Sequence, residues 1–462
     1  MIKKIFKKEL CLEKILLLLI SVFVFFTMYY YDNQTTFVEI LKNMHRIASG
    51  QWYYIFNGWS AIPYGLLLQG VCAIWSLPVF ILSELGLISI TSVGARLWYK
   101  IFVLIFLLLD TQQLEVMARK LGTFSEKKIL WLKLYFLSSL FVVLPAVHIA
   151  QMDAVYLFFI LLGINYYLSD DHWKFLLCFM VAIPGKYFPL FIFIPLILLK
   201  EKRYLFIIRD LLVGCVLIVF DRGMNSIGYR IENYLGIDKS LEISNNDTMY
   251  GCLDRIFDSN LTAFRVPMSL AIVCFGVLCI WCFLRDYKEK NNLAVFVSFI
   301  GFSILFALGD STPYWIIVLV PFELLLIFQN SKHYNILFPL EVIFSLAYVY
   351  IFIFETNWIL GAENTFSFLL WSLIPGYVNA THGYISDFMM QNNFAGFDSA
   401  MSAIAVACII GIMMITSPYK KQEQIKDEQE NVYVKGWYWA RLGVIYIWVF
   451  LNIWVVMLNH VN

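Results

Sequence analysis

Residues 151–169 have the sequence QMDAVYLFFILLGINYYLS, in which polar side chains stand directly in front of a long apolar run. Gln151 and Asp153 open the run, and Lys186 follows one helical hairpin later. Lipid does not solvate an ionised side chain, so charged groups beside membrane helices usually face protein or a water-filled cavity. This stretch therefore predicts membrane helices and a polar functional site at their ends.

The composition of the whole chain indicates a multi-pass membrane protein. Hydrophobic residues make up 61% of the chain, aromatic residues 18% and charged residues only 15%. These fractions are far from those of a soluble domain. The formal net charge of +1 gives no basic face for nucleic acid. Most of the cysteines lie inside apolar runs, and their spacing predicts neither a disulfide framework nor a metal site.

The first apolar run, from Ile15 to about Tyr31, follows several lysines and lacks a small-residue cleavage site. We interpret it as an uncleaved span with a cytoplasmic N-terminus. The fold class expected is an all-α polytopic bundle of about 12–15 spans, given roughly 20 residues per spanning helix. The further apolar runs that we predict as spans are 61–78, 79–94, 101–118, 130–148, 153–169, 174–187, 188–200, 205–221, 266–284, 292–308, 313–329, 335–354, 398–416 and 438–457.

Basic clusters set the expected orientation, because cytoplasmic loops carry an excess of Lys and Arg. This rule places the clusters near 119–128, 200–203, 285–290 and 420–426 inside, and it requires an odd number of crossings within 61–118. The segments predicted to face outward are 32–60, 148–153, the turn at Lys186, 222–265, 309–313 and 355–397.

The first outer loop, 32–60, is predicted to contain an amphipathic helix that lies on the bilayer. Phe37, Ile40 and Leu41 recur at helical spacing beside charged residues, and the helix is expected to end at Ser49-Gly50.

Three motifs together resemble the GT-C superfamily of integral-membrane glycosyltransferases. They are Tyr31-Asp32-Asn33 at the start of the first outer loop, Ala150-Gln151-Met152-Asp153 before a span, and Gly185-Lys186 followed by Pro189 and Pro195. The similarity is greatest to bacterial polytopic mannosyltransferase-like members and to their relative, the catalytic subunit of GPI mannosyltransferase I. It covers residues 15–203, with a looser match at Thr312 to Trp315. We accordingly divide the chain into a GT-C-like module, 1–203, and a C-terminal transmembrane region, 204–462.

The sequence departs from the family pattern at two positions, and each departure leads to an expectation. The family's Gly before the Gln is Ala150 here, which matters little if the backbone there is an ordinary helix entry. Asn33 follows Asp32 where many members carry a second acidic residue. Because Mg²⁺ and Mn²⁺ need several oxygen ligands, we expect no metal and no cofactor.

The resemblance implies transfer of a sugar from a polyprenyl-phosphate-linked donor to a glycan or lipid acceptor at the outer face of a bacterial plasma membrane. One carboxylate suffices as the base in an inverting displacement, and we assign it to Asp32. Gln151 and Asp153 would bind sugar or acceptor hydroxyls, and Lys186 would pair with the donor phosphate. A role in donor binding also stays open for Asp310.

Each assignment has a structural alternative. Asp153 and Lys186 could form an ion pair between neighbouring spans, because charges within membranes tend to pair. Asp32 and Asp310 could be a solvated loop residue and a turn residue. Helix-end snorkelling or hydrogen-bonded packing would account for three further acidic residues, which are Asp110, Glu323 and Glu341.

Two other functions fit the same sequence. A transporter or flippase of lipid-linked sugars would use the same Asp, Gln and Lys to bind without a base. A polysaccharide polymerase or ligase would rely on arginines of the outer loops, of which 222–265 carries several.

Overall fold

The computed structural model describes residues 11–28, 31–53, 55, 64–235, 261–263, 266–285, 290–309, 313–355, 385–394, 396–418 and 427–461. Within these ranges the chain is helical apart from one short antiparallel hairpin, Leu261–Ala263 with Val266–Met268 (β1 and β2). The expected all-α class is confirmed at this level.

The helices have the following bounds. They are α1 Cys11–Thr27, α2 Tyr31–Ala48, α3 Leu66–Glu84, α4 Val93–Leu121, α5 Glu126–Leu137, α6 Leu140–Val142 with a π-helical turn Val143–His148, α7 Asp153–Leu168, α8 His172–Gly185, α9 Leu190–Lys200, α10 Tyr204–Leu235, α11 Leu270–Leu284, α12 Lys290–Leu308, a 3₁₀ turn Pro313–Val318, α13 Val320–Gln329, a 3₁₀ turn Ser331–His333, α14 Tyr334–Glu355, α15 Ile385–Gln391, α16 Asp398–Thr416 and α17 Asp427–Val461.

Several helices are suited to a bilayer. Among the described residues, 4 helices are long and apolar enough to cross a membrane, and the number rises to 5 if the bent pair α5 and α6 counts as one span. Shorter apolar helices, α7 to α9 among them, have 10–17 residues. The chain is thus a helical membrane protein, while the count of about 12–15 spans stays a prediction.

The contacts group the chain into two compact units. One contains residues 1–31, 124–150 and 324–462, and the other contains 32–123 and 151–323. This grouping differs from the sequence division at residue 203, which concerns functional modules and stays a prediction.

In the second unit, α7 is the central helix. It packs against α4 on one side and α8 on the other, and α8 in turn packs on α10. The helix α9 packs against α11 and α12. Glycines allow close approach at these contacts, as small residues do in membrane bundles. A methyl group at Gly163 of α7, for example, would lie 2.9 Å from the Phe179 ring of α8.

The segment 61–118 differs from its prediction. Only two helices, α3 and α4, are described between residues 64 and 121, where the sequence predicted three runs and an odd number of crossings. The boundary predicted between the runs 61–78 and 79–94, at Pro78, is absent, since α3 continues through that residue. A proline removes a single helix hydrogen bond, and membrane helices tolerate this loss.

The run 130–148 also differs, because it is not one straight span. The helix α5 ends at Leu137, and the following α6 with its π-helical turn is bent from it by 58°. Pro145 lies inside this turn. Proline has no N–H to donate and its ring clashes with the preceding turn, which explains a widened helix at this point.

The helix predicted in the first outer loop is confirmed as α2, and it ends where expected, at a turn with Gly50 in the left-handed region (φ 92°). Its apolar side packs on protein, however. Phe37, Ile40 and Leu41 are buried, and the Phe37 ring stacks on Tyr99 of α4 with centroids 5.0 Å apart. These three side chains therefore do not contact the bilayer surface.

The close contact of α12 with α9 yields a test of the packing. A methyl group at Gly301 would lie 2.3 Å from the carbonyl oxygen of Phe191, and backbone cannot move aside cheaply. We expect Gly301→Ala to lower the free energy of unfolding by about 1–3 kcal/mol, as overpacked sites do. Gly276→Ala in α11 is the matched control, since a methyl group there contacts no described atom within 4 Å. Unfolding midpoints in detergent measure both, and equal midpoints would contradict the contact.

Candidate functional site

The candidate site is built around a buried ion pair between α7 and the end of α8. The Lys186 ammonium lies 2.7 Å from Oδ1 of Asp153, the first residue of α7. The same oxygen accepts a hydrogen bond of 3.0 Å from the Tyr64 hydroxyl. The side chains of Lys186 and Asp153 are 4% and 0% exposed. The structure therefore brings together Asp153 and Lys186, two of the predicted site residues. They form the ion pair that the sequence analysis gave as the structural alternative to substrate binding.

Aromatic rings surround the cation. The Lys186 ammonium lies 4.3 Å from the ring centroid of Trp315 and 4.9 Å from that of Tyr64. The rings of Phe188 and Tyr156 follow at 5.4 and 5.9 Å. Ring faces attract cations, more strongly where water is excluded. The charge of Lys186 is thus balanced by one carboxylate. The faces of several aromatic rings attract it further.

Tyr64 is held in place by its backbone neighbours. The Gly65 amide donates to the carbonyl of Pro184 over 3.1 Å, and the Gln69 side chain donates to the carbonyl of Tyr64. A methyl group at Gly65 would lie 2.3 Å from the Pro184 oxygen, so this approach requires glycine. The start of α3 is thereby fixed beside the end of α8, one residue from Tyr64 and two residues from Lys186, the two side chains that contact Asp153.

A second carboxylate supports this arrangement from α10. Asp221 accepts a hydrogen bond of 2.8 Å from the Leu66 amide and so caps the first turn of α3. An acidic side chain at a helix N-terminus satisfies a free N–H and complements the helix dipole. Asp221 lies at the end of the run predicted as 205–221, but α10 continues past it to Leu235. The helix thus extends past the predicted boundary at 222, and the outward orientation of 222–265 stays a prediction.

The backbone before α7 corrects one expectation. Ala150 has φ 58°, in the left-handed region, so the chain does not enter α7 as an ordinary helix. The region costs a residue with a Cβ atom roughly 1–2 kcal/mol, and glycine avoids this cost. Alanine is therefore not neutral at position 150, contrary to the expectation, and the turn 149–152 retains strain that a glycine would relieve.

The other predicted site residues are placed as follows. Gln151 is buried, two residues before Asp153. Asp32 is the second residue of α2, and its side chain lies outside the described part of the structure. Asp310 lies outside the described residues altogether. The structure thus assembles Asp153 and Lys186, while the catalytic role of Asp32 and the binding roles of all four other residues stay predictions.

No protein family, curated protein or solved structure matches the chain. Its activity has to be argued from its own side chains.

Three site residues were missed from the sequence. Tyr64 fell inside the predicted span 61–78, and Tyr156 read as one more apolar residue of its run. Trp315 was noted only as part of a loose family match. The usable signal was the aromatic content at the ends of the apolar runs, since amphipathic rings concentrate at membrane boundaries.

The other compact unit contains a second buried ion pair. Arg441 of α17 lies 3.1 Å from Glu341 of α14, with side chains 4% and 2% exposed. Arg441 also donates to the carbonyl of Tyr135 over 3.0 Å and covers its ring. Glu341 accepts from Ser345. For Glu341 the expectation of hydrogen-bonded packing is confirmed.

For Asp110 the corresponding expectation is wrong. This residue lies in the middle of α4, fully buried, and neither of its oxygens has a hydrogen-bond partner in the described part of the chain. Snorkelling needs a position near a helix end, and hydrogen-bonded packing needs a donor.

The buried pair gives a prediction for stability. Removing one partner leaves an uncompensated buried charge, which costs about 3–5 kcal/mol. We expect Lys186→Met to reduce the free energy of unfolding by this amount, and Lys186→Met with Asp153→Asn to recover part of the loss. The free energy of unfolding of each variant is measured in detergent micelles.

The control is the exposed pair of Lys174 and Asp171 at the other end of α8, whose atoms lie 2.6 Å apart. Lys174 lowers the pKa of Asp171 through a hydrogen bond, but the pair is exposed to solvent. Lys174→Met should change the unfolding midpoint little. An equal loss of stability in Lys174→Met and Lys186→Met would show that the buried pair with Asp153 stabilises the fold no more than the exposed pair does.

Proposed function

We propose that the protein is a membrane glycosyltransferase that uses a polyprenyl-phosphate-linked sugar as donor. The observation that supports this best is the Lys186 site, in which a cation, a carboxylate and a phenol meet at the ends of apolar helices. Ionisable groups in such surroundings are uncommon and usually serve a function. A lipid-linked donor suits the position, because its chain stays among the helices while its phosphate reaches a cation at their ends.

In the proposed reaction Asp32 takes the proton of an acceptor hydroxyl as its oxygen attacks the anomeric carbon of the donor. The bond from that carbon to the phosphate oxygen breaks, and polyprenyl phosphate leaves with the electron pair. The configuration at the anomeric carbon is inverted in this single displacement. General-base catalysis of this kind contributes roughly 10²–10⁴-fold to the rate.

Lys186 would stabilise the charge that builds up on the leaving phosphate. Its ammonium has three donors, of which Asp153 takes one at 2.7 Å. A phosphate oxygen can therefore bind without displacing the carboxylate. The surrounding rings keep water away from the cation, which strengthens its attraction for an anion.

Asp153, Tyr64 and Gln151 would bind hydroxyl groups of the sugar or the acceptor. Carboxylate and amide oxygens accept from hydroxyls, and a phenol both donates and accepts. In this proposal the residues at the ends of α3 and α7 position the substrates, and Asp32 of α2 transfers the proton.

The test uses the full chain in lipid nanodiscs with a panel of labelled polyprenyl-phosphate hexoses. The measured quantities are donor binding, donor loss and gain of a glycosylated acceptor. We expect Asp32→Asn to keep donor binding and to lower transfer by at least about 10²-fold, because only the base is removed. Asp171→Asn, at the opposite end of α8, is the control and should transfer normally.

The same panel separates the competing functions. Transfer at the normal rate in Asp32→Asn would refute the assignment of the base. Donor binding and movement across the bilayer without transfer in the wild-type protein would instead identify a transporter of lipid-linked sugars.

A further inference from the structure

A cavity lined by charged and aromatic side chains lies at the end of α7, α8 and α9 that is opposite to the Asp153 site. It has a volume of about 440 Å³ and is bounded by the turns 169–172 and 200–203 and by the first turns of α10. The helix α7 has 16 residues, so roughly 24 Å of helix separate this cavity from Asp153. The cavity is thus distinct from the candidate transfer site, and its volume is in the range of small-ligand sites.

Two arginines on α10 and its preceding turn dominate one wall. The guanidinium groups of Arg203 and Arg209 lie 3.9 and 4.7 Å from the centroid of the same ring, that of Phe206. The ring stands between them in sequence, three residues from each. The shared contact places both guanidinium groups beside Phe206 at the start of α10.

Acidic partners hold these arginines and leave donors available. Glu201 binds Nε and Nη2 of Arg203 at 2.9 and 2.8 Å, and Asp210 binds Nε of Arg209 at 2.9 Å. The Arg203 guanidinium lowers the pKa of Glu201 from 4.5 to about 2, so this anchor stays ionised. The Nη1 groups of both arginines have no hydrogen-bond partner among the residues that the structure describes.

The three acids of the wall pair with its three basic side chains, so their formal charges balance. Lys200 lies 2.6 Å from Asp170, and the buried Asp210 lies 2.7 Å from Arg209 and 3.1 Å from His172. What the cavity offers to a ligand is therefore the Nη1 donors of two guanidinium groups that their acidic partners hold in place. A phosphodiester, whose single negative charge is shared by two non-bridging oxygens, matches guanidinium groups of this kind.

The surface next to the arginines is apolar. Leu205, Ile208 and Leu212 are exposed and recur at helical spacing down α10, starting beside Arg203. In a membrane protein such a stripe faces acyl chains. Trp173 is also exposed at this end, a position that interfacial tryptophans favour.

We propose that this cavity is a binding site for a glycerophospholipid, which places its phosphodiester on Arg203 and Arg209 and its acyl chains along Leu205, Ile208 and Leu212. The combination of two guanidinium groups that keep Nη1 donors with an adjoining apolar stripe carries the proposal, since arginine side chains bind the phosphates of lipid headgroups. It does not depend on the sugar-transfer reaction.

The test measures binding of dioctanoyl phosphatidylglycerol to the full chain in an uncharged detergent by titration calorimetry. Inorganic phosphate and dioctanoylglycerol are the two further probes, which carry the anion alone and the chains alone. We expect the phospholipid to bind at least about tenfold more tightly than either. Equal affinity for inorganic phosphate would overturn the lipid assignment, and equal affinity for dioctanoylglycerol would overturn the role of the arginines.

Arg203→Gln is the main variant, because this side chain is exposed and no buried group depends on it. We expect about a tenfold loss of phospholipid affinity, as for a charge-assisted hydrogen bond. Arg119→Gln is the matched control, since Arg119 is likewise exposed and paired, here with Glu115. The Arg119→Gln variant should bind the phospholipid with the same affinity as the wild-type protein.

Leu205→Gln with Ile208→Gln tests the apolar stripe. This variant should weaken phospholipid binding severalfold and leave the weak binding of inorganic phosphate unchanged. Wild-type affinity for the phospholipid in this variant or in Arg203→Gln would refute the proposal, and unfolding midpoints establish that each variant is folded.

Discussion

The cost of placing a charge among apolar helices governs much of this structure. In each compact unit a buried cation meets a buried carboxylate, Lys186 with Asp153 in one and Arg441 with Glu341 in the other. Both cations also lie over aromatic rings. An ionised group in hydrocarbon needs a partner, hydrogen bonds or both, because the surroundings cannot solvate it. The positions of Tyr64, Trp315 and Tyr135 follow from this requirement as much as from packing.

The sequence predicted the helices well where apolar runs end in polar residues or turns. The helices α7, α8, α9 and α16 lie within a few residues of their predicted bounds, because Asp153, the turn near 169–172 and Lys186 interrupt the hydropathy sharply. Prolines were a poorer guide. Pro78 lies inside a continuous helix, whereas the bend between α5 and α6 falls at Ser138, with no proline at that position.

The candidate site was predictable in part. Charged residues stand out against an apolar background, so Asp153 and Lys186 could be found by composition and linked by the hairpin between them. Tyr64 and Trp315 could not, since nothing local distinguishes them from other ring-bearing residues near helix ends. Their role comes from long-range packing, in particular the approach of Gly65 to the Pro184 carbonyl, which periodicity does not encode. The left-handed Ala150 likewise shows only in the backbone.

The Asp153 and Lys186 pair also has a consequence for how the protein is made. Neither α7, with 16 residues, nor α8, with 14, reaches the roughly 20 residues of a typical spanning helix, and each has one charge at the same end of the hairpin. If each helix entered the bilayer alone, its charge would lack the partner that the folded hairpin provides, which costs free energy. Entry as a paired hairpin, closed by the short turn at 169–171, removes this cost. If α7 and α8 lie in the bilayer, the ion pair makes their insertion as a single unit more favourable than the insertion of each helix alone.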